Sequence, residues 1–96
     1  MADPTLLVLS SLSDGDKHGY SMMLDIEQFS GLKLGPGTLY GAITRLEQKG
    51  WIHPIGSSTD RRQPYRLTAE GRKHLATVLS ELDQIVKTGI RRLKNA

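Results

Sequence analysis

Cysteine is absent from this chain of 96 residues, which excludes a disulfide framework, thiolate catalysis and a metal–thiolate site, and suits a reducing cytoplasm. No run approaches the roughly 20 apolar residues that cross a bilayer, and the N-terminus lacks a basic stretch followed by an apolar one. A cytoplasmic location with no membrane partner is the expectation. Missing too are a Gly-rich phosphate loop and any Ser, His and Asp set spaced as a triad, so no enzymatic activity is expected. His18, His53 and His74 fall on separate elements with no carboxylate in ligand spacing, so they read as structural or surface residues, with neither metal nor cofactor implied.

What is present is one small domain of 10.6 kDa, able to bury a modest core and to gain from oligomerisation. Lys and Arg number 13 against 10 Asp and Glu, a formal charge of +3 and a pI near 9.5. That balance is compatible with a polyanionic partner but common without one, so the distribution of the charges decides.

Asp3-Pro4 starts a first helix, with Leu6, Leu9 and Leu12 facing inward. The loop Ser13 to Lys17 ends it. A second helix spans about His18 to Ser30, with Met22, Ile26 and Phe29 on one side, Met23 beside them and Gly31 as its C-terminal cap. Pro36 starts a third helix that runs to Lys49 and stops at Gly50. Trp51 to Ile55 and Pro64 to Leu67 read as a hairpin whose long polar tip is Gly56 to Gln63. Pro54 and Pro64 each lack a donor, which predicts edge-like strands. Thr68 then caps a final helix of about 25 residues, with Glu70 in its first turn and Lys87, Arg91, Arg92 and Lys94 toward its end. No internal repeat or low-complexity tract interrupts this order.

The third helix carries the most information. Steps of about 100° place Leu39, Ala42, Ile43 and Leu46 on one side, with Gly37, Gly41, Thr44 and Gln48 opposite. Tyr40 and Arg45 flank that outward face, and Thr38 and Lys49 stand near its edge. A glycine inside a helix costs about 1 kcal/mol against alanine, so two on the outer face point to close approach by a partner. Small residues, hydroxyls, an amide and a guanidinium can lie flat in the DNA major groove, where Gln and Arg read base edges and a Tyr hydroxyl holds phosphate. The first amides of the helix, at Gly37 and Thr38, can also face a phosphate. The glycines alone could be tolerated on an ordinary exposed helix. Arg61 and Arg62, adjacent in the hairpin tip just after this helix, tilt the reading toward a winged helix-turn-helix whose wing follows the backbone or minor groove.

In the last helix Leu75, Leu79, Leu82, Val86, Gly89 and Leu93 recur at alternating steps of four and three, a heptad seam. A helix of about 25 residues spans roughly 37 Å and outruns so small a core. The seam therefore predicts a partner helix, with Leu75, Leu79, Leu82, Val86 and Leu93 as dimerisation residues. Trp51 and Phe29 are candidates for lining an effector pocket at that interface, although buried aromatics are core by default.

The runs "HGYSMMLDIEQ", "LGPGTLYGAITRLEQKGWI" and "DRRQPYRLTAEGRKHL" together resemble the PadR family of bacterial transcriptional regulators, from about Leu6 to Leu75. The resemblance implies a winged helix-turn-helix, a homodimer formed mainly through the C-terminal helix, and usually repression relieved by a small-molecule effector. Two positions depart from the family pattern: Gly35, where serine is common, and Gly41, where a larger polar residue is common. The chain resembles the short form of the family, with one C-terminal helix.

The fold expected is thus mainly α with a small β-hairpin: a winged helix-turn-helix over 1–67 and a C-terminal dimerisation helix over 68–96. The function expected is a sequence-specific DNA-binding regulator, a repressor on an inverted-repeat operator in double-stranded DNA. The alternative is a winged-helix protein-interaction module without effective DNA readout, which Gly41 and the modest charge would permit. Steep salt dependence of DNA binding separates the two.

Overall fold

In the computed structural model, which describes residues 3–56 and 62–96, the Thr5 amide donates to the Asp3 carboxylate at 3.0 Å. Pro4 follows at the first helical position, where no donor is needed. Helix α1 accordingly covers Pro4–Ser11. Its neighbours are α2 (Gly19–Ser30), α3 (Pro36–Gln48) and α4 (Ala69–Lys94), and it packs against all three. An element enclosed in this way has no wet face, so Leu7, Val8 and Leu9 are buried together. The inward set read from helical spacing was too narrow: Leu9 and Leu12 are buried, Leu6 is partly covered, and Leu7 and Val8 join them.

A turn of 3₁₀ helix over Leu12–Asp14 leads into a short strand β1, Lys17–His18. Lys17 donates to the Ser11 carbonyl and to Asp14, while the buried Ser11 hydroxyl donates to Asp25 at 2.7 Å. The Lys17 partner holds the Asp14 carboxyl below its ordinary range. In α2, Met22 and Ile26 enter the core as expected, but Phe29 is 50% exposed. The last turn of α2 runs past the helices that cover Met22 and Ile26. Gly31 closes it in the left-handed conformation, φ 76°.

β2 (Ile52–Pro54) and β3 (Pro64–Leu67) form the expected hairpin, with Ile52 opposite Leu67 and Pro54 opposite Tyr65. β3 is not an edge strand, however. The sheet order is β1-β3-β2, with Lys17 opposite Tyr65 and His18 opposite Pro64. Pro64 tolerates the central position because it is the first residue of its strand and serves the ladder through its carbonyl, which accepts from the Ile55 amide at 2.9 Å. Lys17, read from sequence as loop, supplies the third strand.

The Thr68 hydroxyl accepts from the Gly71 amide at 3.0 Å and donates to the Gly50 carbonyl at 2.8 Å, which joins the start of α4 to the turn that ends α3. Gly71 and Leu75 are the buried residues of the 26-residue helix. Beyond them α4 leaves the core, and the molecule is 55 Å long but only 26 Å and 20 Å across. Among the described residues no helix is long and apolar enough to cross a membrane.

Candidate nucleic-acid interface

α3 starts at Pro36 after Gly35, which has extended φ and ψ of −75° and 162° but offers no side chain to the first amides. Leu39, Ala42, Ile43 and Leu46 are buried, whereas Gly37, Thr38, Tyr40, Thr44, Arg45, Gln48 and Lys49 are exposed and Gly41 is partly covered. The division anticipated from helical spacing holds at these positions except Gly41, which is intermediate. Nothing lies within 4 Å of where a Gly37 side chain would begin, and at Gly41 the neighbour is the Arg45 guanidinium at 3.6 Å. A Cβ at Gly41 would thus meet Arg45 only in ordinary contact, so neither glycine is required by space within the chain. The Thr44 hydroxyl donates to the Tyr40 carbonyl at 2.9 Å, a bond back to the preceding turn of its own helix.

The end of α3 differs from its middle. Lys49, the C-terminal cap, sets its ammonium 4.9 Å above the Trp51 ring, and that ring stacks on His74 at 3.8 Å. This cation–π arrangement draws Lys49 toward α4. Trp51 is thus engaged in packing, and Phe29 stands on the surface of α2.

α2 begins beneath α3. Its cap is His18, whose Nδ1 accepts from the Ser21 amide at 3.3 Å. Tyr20, 62% exposed, follows Gly19, over which the Tyr40 ring is laid. Tyr20, Met23, Pro36 and Tyr40 line an open, mainly apolar cleft of about 550 Å³ at the N-terminal ends of the two helices. Burial, with Glu47 and Tyr40 adding to it, holds the phenol of nearby Tyr65 above its ordinary value.

Arg61 lies outside the described residues; Arg62 is described and exposed. Two residues that the sequence reading passed over secure the wing. Gln63 is buried, and its amide donates to the Ile55 carbonyl at 2.7 Å and the Pro64 carbonyl at 2.8 Å, which closes the base of the loop. Arg66 of β3 makes two bonds to Asp16, at 3.1 and 2.9 Å. The bonds from Arg66, its charge and that of His53 hold the Asp16 carboxyl below the ordinary value. Gln63 sits in a polar run that resembles any solvated tip, and Asp16 is 50 residues from Arg66, so spacing could have revealed neither.

On α4, Leu75 is buried in the chain's own core, while Leu79, Leu82, Val86 and Leu93 stand exposed, Leu82 at 39% and Leu93 at 79%. Ile85 and Ile90 stand exposed beside them. The heptad spacing omitted these two because the stripe follows the 3.6-residue helical period and is wider than a strict seam.

Comparison with known proteins agrees with this architecture. The model of the transcriptional regulator PadR-like family matches residues 8–77. The uncharacterized 37.1 kDa protein in transposon TN4556 of Streptomyces fradiae is 48% identical over 73 residues, which make up 76% of this chain and 21% of that protein. The chain therefore spans about a fifth of the length of this curated relative. A PadR family transcription regulator from Clostridium difficile is 31% identical and superposes with a TM-score of 0.82, over 96% of this chain and 99% of that one. For a transcriptional regulator from Clostridium thermocellum the identity is 31% and the TM-score 0.77, over 88% and 84% of the two chains. At 17% identity a PadR-like regulator from Bacillus cereus shares the fold, with a TM-score of 0.80 over 93% of this chain and 89% of that one.

Proposed function

Since the chain belongs to the PadR-like family of transcriptional regulators, DNA-binding proteins and not enzymes, we propose that it is a sequence-specific repressor gripping an inverted-repeat operator as a homodimer. The observation that carries the reading is the outward face of α3, where Gly37, Thr38, Tyr40, Thr44, Arg45 and Gln48 are exposed above a fully apolar inner face. Gln48 and Arg45 read base edges in the major groove, and Tyr40 and the amides at the start of α3 hold phosphate. Arg61 and Arg62 follow the backbone as part of the wing, and Lys49 contributes charge from the edge of the interface. Repression then follows from occupancy: a dimer covering the operator excludes the transcription machinery.

Dimerisation is supported by the exposed apolar face of α4. Leu79, Leu82, Ile85, Val86, Ile90 and Leu93 lie along one side of a helix that continues past its own core, and a second copy of α4 is the self-complementary way to cover them. Two-fold pairing presents two copies of α3 to successive major grooves, roughly 34 Å apart, so half-site centres should stand about 10 base pairs apart or at a multiple of that spacing.

Selection of bound duplexes from a random pool, followed by titration of the recovered sequence at several salt concentrations, tests the reading. An inverted repeat should emerge, bound with a steeply negative salt slope. Recovery of no preferred sequence, together with affinity indifferent to salt, would instead make the chain a protein-interaction module built on a winged-helix shell.

A further inference from the structure

Gly19, the first residue of α2, is buried, and the demand for glycine there is spatial. Its backbone has no positive φ, so left-handed freedom is not the reason. A Cβ built on Gly19 would lie 2.3 Å from Tyr40 Oη, 2.7 Å from its Cζ and 3.1 Å from its Cε1. The first two distances are shorter than any real contact, so the phenol end of the recognition helix fills the volume that a side chain at position 19 would need. The obstructing atoms belong to the far end of a rotatable side chain. A methyl group at position 19 would turn Tyr40 aside and leave both helices in place.

The rest of the tyrosine is arranged for use outside the fold. Its hydroxyl has no hydrogen-bond partner among the described residues, and the residue is 37% exposed. Pro36, Met23 and Tyr20 line the open apolar cleft together with Tyr40. Burial of a phenol for packing alone would leave this hydroxyl paired or covered. Here the phenol end lies over Gly19 while the residue as a whole stays partly open to solvent.

We propose that Gly19 is a positioning residue of the DNA interface, shaping the seat on which the Tyr40 hydroxyl is held in one place before DNA arrives. The proposal rests on the reading that the outward face of α3 meets DNA. Ordering a mobile side chain at an interface weakens binding by about two- to tenfold, a loss the seat avoids.

The test uses the full chain and the duplex recovered by selection, with Gly19→Ala, Tyr40→Ala and the double variant beside the parent. Gly19→Ala should fold and sediment as the parent does, yet bind the duplex about two- to tenfold more weakly through the lost order of Tyr40. In the Tyr40→Ala background the same substitution should change affinity less than about twofold, since no phenol remains to displace. With 3-fluorotyrosine incorporated, the fluorine resonance of Tyr40, assigned by its absence in Tyr40→Phe, should move in Gly19→Ala before any DNA is added. Parent-like affinity and resonance in Gly19→Ala, or an equal loss in both backgrounds, overturns the proposal. So does unfolding of Gly19→Ala, because the obstruction would then lie in the framework. A parent that binds no DNA defeats the functional reading instead, and the fluorine comparison still reports whether Gly19 seats Tyr40.

Discussion

At the residue scale, what a missing side chain accomplishes depends on the atom that occupies its place. At Gly71 a Cβ would lie 2.0 Å from the Trp51 carbonyl oxygen and 2.8 Å from its carbon. That oxygen also accepts from the Thr68 amide at 3.0 Å. Backbone on both sides cannot swing away, so Gly71→Ala should destabilise the protein by about 1–3 kcal/mol through forced overpacking, despite the higher helix propensity of alanine. Denaturant midpoints of parent and variant check this, and an unchanged or higher midpoint would show that α4 can slide on the strand. Arg45 is the matching case on the outer face. If it reads a guanine through two hydrogen bonds, Arg45→Ala should cost about 1–3 kcal/mol on the preferred duplex and relax the sequence preference at one base position. Equal weakening on every duplex, with a flatter salt slope, would make Arg45 a phosphate contact.

At the scale of elements, the wing depends on a strand of two residues. β1 is Lys17–His18, held by its register against β3, by the Lys17 bonds to the Ser11 carbonyl and Asp14, and by the Asp16–Arg66 pair beside it. The Asp16 carboxyl is lowered in the folded chain. The folded state therefore binds the proton less readily than the unfolded one. The pair stabilises the fold above the unfolded carboxylate value of about 3.9 and ceases to do so as the pH falls through the folded value. Asp16→Asn should accordingly be less stable than the parent at neutral pH, and the difference should narrow below about pH 4 and vanish in stronger acid. Thermal melts of both proteins across that range measure it. A gap that persists unchanged in acid would mean that the asparagine acts by another route. Both partners are exposed, so high salt should narrow the gap as well.

The whole molecule poses the question of what covers α4. Its exposed apolar residues run from Leu79 to Leu93, on the part of the helix that reaches beyond the core. Leu82→Glu with Val86→Glu puts charge on both of two paired helices at a two-fold contact. The variant should sediment as a monomer that keeps the winged domain, because neither residue belongs to the buried core. Its affinity for the full inverted repeat should fall steeply, toward that of a single half-site. A parent that is monomeric at micromolar concentration, or a monomeric variant that binds the full operator as tightly as the parent, would refute the dimer mechanism.

Local rules were enough for the four helices and the hairpin, though not for β1. Asp3 with Pro4, Pro36 and Thr68 start helices where capping chemistry places them, Gly31 and Gly50 end them with positive φ, and the inner face of α3 follows from a spacing that needs no other part of the chain. The sequence motifs likewise sufficed for the family. Tertiary structure decided whatever depends on a neighbour distant in sequence. Leu7 and Val8 are buried because three helices surround α1, which no single-helix periodicity encodes. Pro64 sits in a central strand because Lys17 and His18, some fifty residues earlier, supply the other edge. Phe29 is left outside and Leu75 taken inside because the core ends short of one helix's last turn and reaches the second turn of another. Gly19 and Gly71 look alike in sequence, and only the three-dimensional fold sets a rotatable phenol against the first and a fixed carbonyl against the second. Periodicity and capping report on a few adjacent turns, whereas excluded volume is a property of atoms that meet only after the chain has folded.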